Sequence, residues 1–167
     1  MSRALWFAIV FTACSRQAAQ PQAPRGVELM RVKVVATYPH DRGAFTQGLE
    51  VFEGLVYEST GLVGRSSLRR VELVSGVVDK AVPIERYFAE GLTRVGDKLY
   101  QLTWQDGRLL VWNLRTMTLE RELSYAGEGW GICWDGKRLV SSDGSARLTS
   151  RDPQTFEPQG DVTVRRD

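Results

Sequence analysis

The residues of this chain best suited to chemistry stand just before a recurring glycine. Gln47 precedes Gly48 in Thr46-Gln47-Gly48-Leu49, Glu90 precedes Gly91 in Ala89-Glu90-Gly91-Leu92, and Trp130 precedes Gly131 in Gly129-Trp130-Gly131. An amide, a carboxylate and an indole at equivalent places of a repeat converge if the repeat is arranged around an axis. Such a set can move a proton, grip a polar group and wall a pocket. A second reading stays open beside it, in which these polar side chains only satisfy backbone groups between repeats. Trp104 closes the run Leu99-Tyr100-Gln101-Leu102-Thr103-Trp104 next to polar Gln105-Asp106-Gly107, a place from which a ring can line a pocket. His40 is the only histidine, so neither a Ser/His pair nor a multi-histidine zinc site can be built around it alone.

Three segments with one layout must position these groups. The motifs around Gly48, Gly91 and Gly131 recur at about 40 to 43 residues, and turn glycines Gly54, Gly96 and Gly136 follow at the same interval. Asp97 and Asp135 beside two of these glycines supply residues that tolerate positive φ in tight hairpin turns. Each hairpin is followed by an alternating, β-rich stretch: Ser67–Leu73, Arg108–Leu114 and Arg147–Asp152. Four short strands per repeat of this length predict an all-β chain of β-propeller blades. A β-sandwich does not explain the repeated glycines. Trp112 and Trp134 fit strand alternation and are expected in blade packing. Glu58 is expected either to bond between blades or to face the central channel. Cys133, within Trp130-Gly131-Ile132-Cys133-Trp134, reads as a buried structural thiol.

Composition narrows the class further. Hydrophobic residues make up 43% and charged residues 25% of the 167 residues, with a formal net charge of +2. That balance supports a packed core, and the interspersed charges form no basic stripe for nucleic acid. The first residues differ from the rest. Arg3 precedes the uncharged apolar run Ala4–Ala13, and Cys14-Ser15 follows, which is the layout of an export signal over residues 1–14. The run is too short to span a bilayer, which takes roughly 20 residues. Phe11-Thr12-Ala13-Cys14 also resembles a lipoprotein signal, so lipidation of Cys14 and ordinary cleavage nearby both stay open, beside the plainer reading of a buried N-terminal helix. The chain is therefore expected to be exported, as a periplasmic protein or an outer-membrane lipoprotein of a bacterium. Residues 15–27 read as a polar, Pro-containing linker, and 28–167 as a partial propeller domain. With Cys14 lipidated or removed, Cys133 has no partner for a disulfide.

Several motifs in order resemble one family. Tyr38-Pro39-His40-Asp41 with Ala44-Phe45-Thr46-Gln47-Gly48-Leu49 is similar to the opening of the plant and bacterial type of glutaminyl-peptide cyclotransferase. Tyr57-Glu58-Ser59-Thr60-Gly61, Gly64-Arg65-Ser66-Ser67-Leu68, Glu90-Gly91-Leu92-Thr93, Leu99–Trp104, Gly129-Trp130-Gly131 and Ser142-Asp143-Gly144-Ser145 continue the resemblance over roughly 32–156. It implies a five-bladed propeller that converts N-terminal glutamine of a peptide or protein to pyroglutamate and releases ammonia. The family's catalytic carboxylate falls on Glu90. Its substrate-lining positions fall on Phe45, Gln47, Phe88, Trp104 and Trp130. His40, within the opening motif, is expected to orient the Phe45–Gln47 loop or to sit on a loop surface. No cofactor or catalytic metal is implied. A propeller can hold a structural calcium ion on central carbonyls and carboxylates, but the sequence has no dedicated loop of ligands for one. Two rivals stand beside the enzyme reading: an exported, noncatalytic propeller that binds peptide ends, and a calcium-dependent hydrolase, which would need more inward Asp, Asn and His than this sequence offers.

The length departs from the family. Five blades of this repeat need roughly 210 residues, and about 140 follow the linker, enough for about three. Val162-Thr163-Val164 reads as the beginning of a fourth blade. The expectation is a chain truncated at its C-terminus, whose activity alone is less secure than that of the parent family.

Overall fold

The computed structural model describes residues 30–165. The expected signal over 1–14 with Cys14, and the linker over 15–27, lie outside the described residues. A compact unit begins at Ala36. It contains twelve strands and no helix among the described residues, in three sheets of four. The first blade is β1 (Thr46–Phe52), β2 (Leu55–Thr60), β3 (Ser66–Glu72) and β4 (Val78–Ile84). The second is β5 (Ala89–Val95), β6 (Lys98–Thr103), β7 (Arg108–Asn113) and β8 (Leu119–Ser124). The third is β9 (Ile132–Trp134), β10 (Leu139–Ser142), β11 (Arg147–Arg151) and β12 (Pro158–Thr163). Each blade is an antiparallel meander in sequence order, as expected for propeller blades.

Burial explains why some strands are apolar throughout and others polar. The second blade is packed on both faces, so alternate residues of its middle strands enter two different cores. Leu99 of β6 with Leu110 and Trp112 of β7 joins Tyr57 and Leu68 of the first blade. Tyr100, Leu102, Leu109 and Val111 point the other way and join Ile132, Leu139 and Phe156 of the third. Continuous runs such as Leu109-Leu110-Val111-Trp112 are therefore strands with no polar face. The outer strands β8 and β12 are almost wholly exposed. A polar side chain crosses between blades deep in the core. Buried Gln101 donates from Nε2 to Ser59 Oγ (2.7 Å) and accepts the indole N–H of Trp112 at Oε1 (3.0 Å). Trp112 thus packs as expected, with its one donor satisfied. Trp134 packs against the second of these cores.

The recurring glycines have a reason beyond turns. β1 lies beside β5, and β5 beside β9. A Cβ on Gly48 would stand 2.5 Å from Leu92 N, and one on Gly91 would stand 2.5 Å from Trp130 O. Both distances are to backbone, so glycine is what lets neighbouring inner strands approach this closely.

Three expectations need correction, and the turn residues divide their roles. Cys133 is exposed, because Ile132 takes the inward place of the three-residue strand β9 and alternation turns the thiol out. Val162 and Thr163 do not open a fourth blade; they pair with Leu148 and Arg147 as the end of β12. Asp97 and Asp135 do not adopt positive φ, which falls on Gly96 and Gly136. Asp135 instead accepts the backbone N–H groups of Lys137 and Arg138, the side-chain turn typical of aspartate. Finally, Glu58 does not bond between blades. Its Oε1 accepts from His40 Nε2 (2.9 Å) and Thr46 Oγ1 (2.5 Å), both within or just before the first blade.

Candidate active site

The inner strands of the first two blades deliver the central pair. Gln47 is the second residue of β1 and Glu90 the second of β5, so equivalent places on adjacent inner strands become neighbours. Gln47 Nε2 donates to Glu90 Oε1 at 3.0 Å. The register of β1 against β2 slips between Thr46 and Gly48, and that of β5 against β6 slips between Ala89 and Leu92. Both irregularities sit at the functional side chain, as bulges that re-aim a residue do. Thr46, just before Gln47, is anchored by buried Glu58, and His40 by the same carboxylate oxygen. His40 therefore ties the segment before β1 to Glu58.

Around this pair runs a chain of aromatic edges. Phe45 meets Phe88 at 6.2 Å between centroids and 89° between planes, and Phe88 meets Trp104 at 5.6 Å and 64°. Backbone bonds hold these ring-bearing residues in place: Gly61 N to Phe45 O (2.8 Å) and Trp104 N to Phe88 O (2.9 Å). Trp130 joins from the third blade, where its backbone oxygen accepts Gly91 N–H at 2.8 Å. Phe45, Trp104 and Trp130 keep 51%, 36% and 47% of their surface exposed, so one side of the aromatic chain is open to an incoming ligand. The structure thus brings all six sequence-derived site residues into one continuous set. A groove of about 710 Å³ lies elsewhere, between β8 and β11–β12, and none of the six lines it.

Two residues of the site were not singled out from sequence. A Cβ on Gly61 would stand 2.5 Å from Phe88 Cε1 and 3.1 Å from Gln47 Cγ, so glycine there admits both side chains. Glu128 accepts at Oε2 from Trp104 Nε1 (2.9 Å) and from Trp130 Nε1 (3.0 Å), and at Oε1 from Gln105 Nε2 (3.2 Å). The repeat carried a signal for it. Phe45, Phe88 and Glu128 each stand three places before the aligned glycine, so Glu128 is a carboxylate where the other blades have phenyl rings.

The two carboxylates are driven apart. Removal from water pushes Glu90 up to about 7, against the opposing pull of the Gln47 hydrogen bond. The bonds from Trp130, Gln105 and Trp104 hold Glu128 below the usual carboxylate range. Near neutral pH one group can therefore take up and return a proton while the other stays anionic, the separation expected where carboxylates have different duties.

A family model described as glutamine cyclotransferase matches residues 5–167. The glutaminyl-peptide cyclotransferase of Arabidopsis thaliana is 41% identical over 130 residues, which are 75% of this chain and 40% of that protein. The crystal structure of Myxococcus xanthus glutaminyl cyclase superposes with a TM-score of 0.72 at 42% identity, over 77% of this chain and 54% of that one. This chain thus spans less than two thirds of either relative. The WD40 domain of Neurospora crassa Pan2, at 15% identity and a TM-score of 0.59 over 71% of this chain and 36% of that one, shares the fold alone.

Proposed function

The chain belongs to the glutamine cyclotransferase family, and from that premise we propose that it closes the N-terminal glutamine of peptides to pyroglutamate with release of ammonia, Glu90 serving as acid and base. The observation that carries the proposal is the Gln47–Glu90 pair, a carboxylate near neutrality gripped at 3.0 Å beside a line of aromatic rings.

The chemistry follows from those groups. The substrate's α-amine attacks its own side-chain amide carbon and a C–N bond forms. Ionised Glu90 takes the proton that the attacking nitrogen must lose, and the tetrahedral intermediate carries the negative charge on oxygen. Glu90 then returns the proton to the departing nitrogen, the old C–N bond breaks, and ammonia leaves. Because both reacting groups belong to one residue, holding the folded-back conformer supplies much of the acceleration. That is the duty assigned to Phe45, Phe88, Trp104 and Trp130. Gln47 spends one N–H on Glu90; the other is available to grip the substrate amide or its developing oxyanion.

The test is ammonia release from a short peptide led by glutamine, with the same peptide led by asparagine as control. Release from the first alone is expected. Binding of the glutamine peptide without release would instead make the chain a noncatalytic receptor for peptide ends. The leader over residues 1–14 adds that the enzyme acts after export. The mass of the mature N-terminus distinguishes a lipidated Cys14 from ordinary cleavage, and an intact Met1 in exported cell fractions would count against both.

A further inference from the structure

We propose that Glu128 is a positioning residue of this site: its Oε2, shared by the indole N–H groups of Trp104 and Trp130, locks two aromatic walls from different blades into one surface. Trp104 follows β6 in the second blade, whereas Trp130 precedes β9 in the third. Both rings are substantially exposed, so packing alone leaves them rotamer freedom that ligand binding would have to remove. Each indole has a single donor, and each spends it on the same carboxylate oxygen, at 2.9 and 3.0 Å. Gln105 fixes the other oxygen, so the carboxylate is oriented by three neutral N–H groups. Trp130 is also seated from beneath, since a Cβ on Gly144 would stand 2.8 Å from its Cε2. Trp104 is braced by the edge of Phe88. The clamp completes a run from Phe45 through Phe88 and Trp104 to Trp130, with Glu128 as the one link that is not a ring. A carboxylate suits the place because one of its oxygens can accept two donors at once.

The inference rests on the cyclisation reading insofar as the walls matter for turnover, and its test separates the two. The parent chain, Glu128→Ala and Glu128→Gln are compared for tryptophan emission and for kcat and KM of ammonia release from a glutamine-led peptide. Glu128→Ala frees two indoles: the emission shifts, KM rises about tenfold or more, and kcat stays within about threefold, the pattern of lost binding geometry. The pH at which Glu90 titrates in the rate profile does not move. Glu128→Gln keeps an oxygen that can accept both indoles, and Gln105 can turn its own oxygen toward the new amide. It brings the emission back to that of the parent and KM to within about threefold of it. Parental emission and KM in Glu128→Ala overturn the clamp. So does a Glu128→Gln variant as impaired as Glu128→Ala, which would make charge the operative property. If the parent releases no ammonia the cyclisation reading falls, and the emission of the two variants still decides the clamp. Should Glu128→Ala fail to fold, Glu128→Met, which keeps the length of the side chain but has no oxygen to accept the indoles, takes its place: shifted emission and raised KM support the clamp, and parental values overturn it.

Discussion

Replacing Glu90 by Gln lowers kcat for ammonia release by about 10²- to 10⁴-fold, the span attributed to a positioned acid–base group, and leaves the fold standing. Gln has the shape of Glu but can neither take up nor return the proton. The backbone that carries it is independent of its charge, because Gly91 N–H is held by Trp130 O and the register of β5 by β6. Gln47 can turn its amide to meet the new one. Circular dichroism and the urea midpoint check the fold, and steady-state ammonia release checks the rate. Turnover within about tenfold of the parent would show that another group or water moves the proton.

The pH dependence identifies the same residue by a second route. Glu90 is needed ionised, so kcat/KM climbs as pH passes about 7. The substrate amine, ordinarily titrating at about 8, adds its own rise above that. Glu90→Gln loses the lower rise and keeps the upper. Gln47→Ala removes the bond that pulls Glu90 down, so the lower rise moves to higher pH. Stability moves in a fixed direction too. The folded value lies above the ordinary 4.5, so the contribution of protonated Glu90 is complete below about 4.5 and is lost as pH climbs through about 7. The stability of Glu90→Gln relative to the parent therefore improves across that window and is level above it. A flat difference from pH 4 to 8 would contradict the raised value.

What could be read from sequence follows from what the fold repeats. The blades were legible because the inner strands need glycine at one interval and the middle strands need buried alternation on two faces; Gly48, Gly91 and the run Leu109–Trp112 carry those demands directly. The Gln47–Glu90 contact was legible for the same reason, since equivalent places on adjacent inner strands must meet. Glu128 was not. It occupies the place of Phe45 and Phe88, but its bonds to two indoles depend on side-chain rotamers that no spacing encodes. Cys133 was misplaced because three residues of β9 are too few to set the phase of an alternation. The end of β12 was misread because an outermost strand with every residue exposed has no apolar rhythm to mark its course.

Gly91→Ala is expected to cost about 3 kcal/mol of stability, at the upper end of the usual cost of overpacking. The added methyl group would stand 2.5 Å from Trp130 O, 2.9 Å from Ile132 N and 3.0 Å from Gly131 Cα. All three are backbone atoms, so no side chain can swing aside, and β5 must part from β9. Parting them weakens the Gly91 N–H bond to Trp130 O and loosens the core that Ile132 shares with Leu102 and Val111. It also moves Trp130 away from Glu90, so kcat/KM falls in whatever fraction stays folded. Gly160→Ala is the matched control. It adds the same methyl group in β12, where nothing lies within 4 Å and φ is not positive, and is expected to change stability by no more than about 0.5 kcal/mol. The urea midpoints of the two variants decide the matter. If Gly91→Ala unfolds where Gly160→Ala does, the inner strands have room to spare, and the recurring glycine marks turn chemistry instead of the close approach that brings Gln47, Glu90 and Trp130 together.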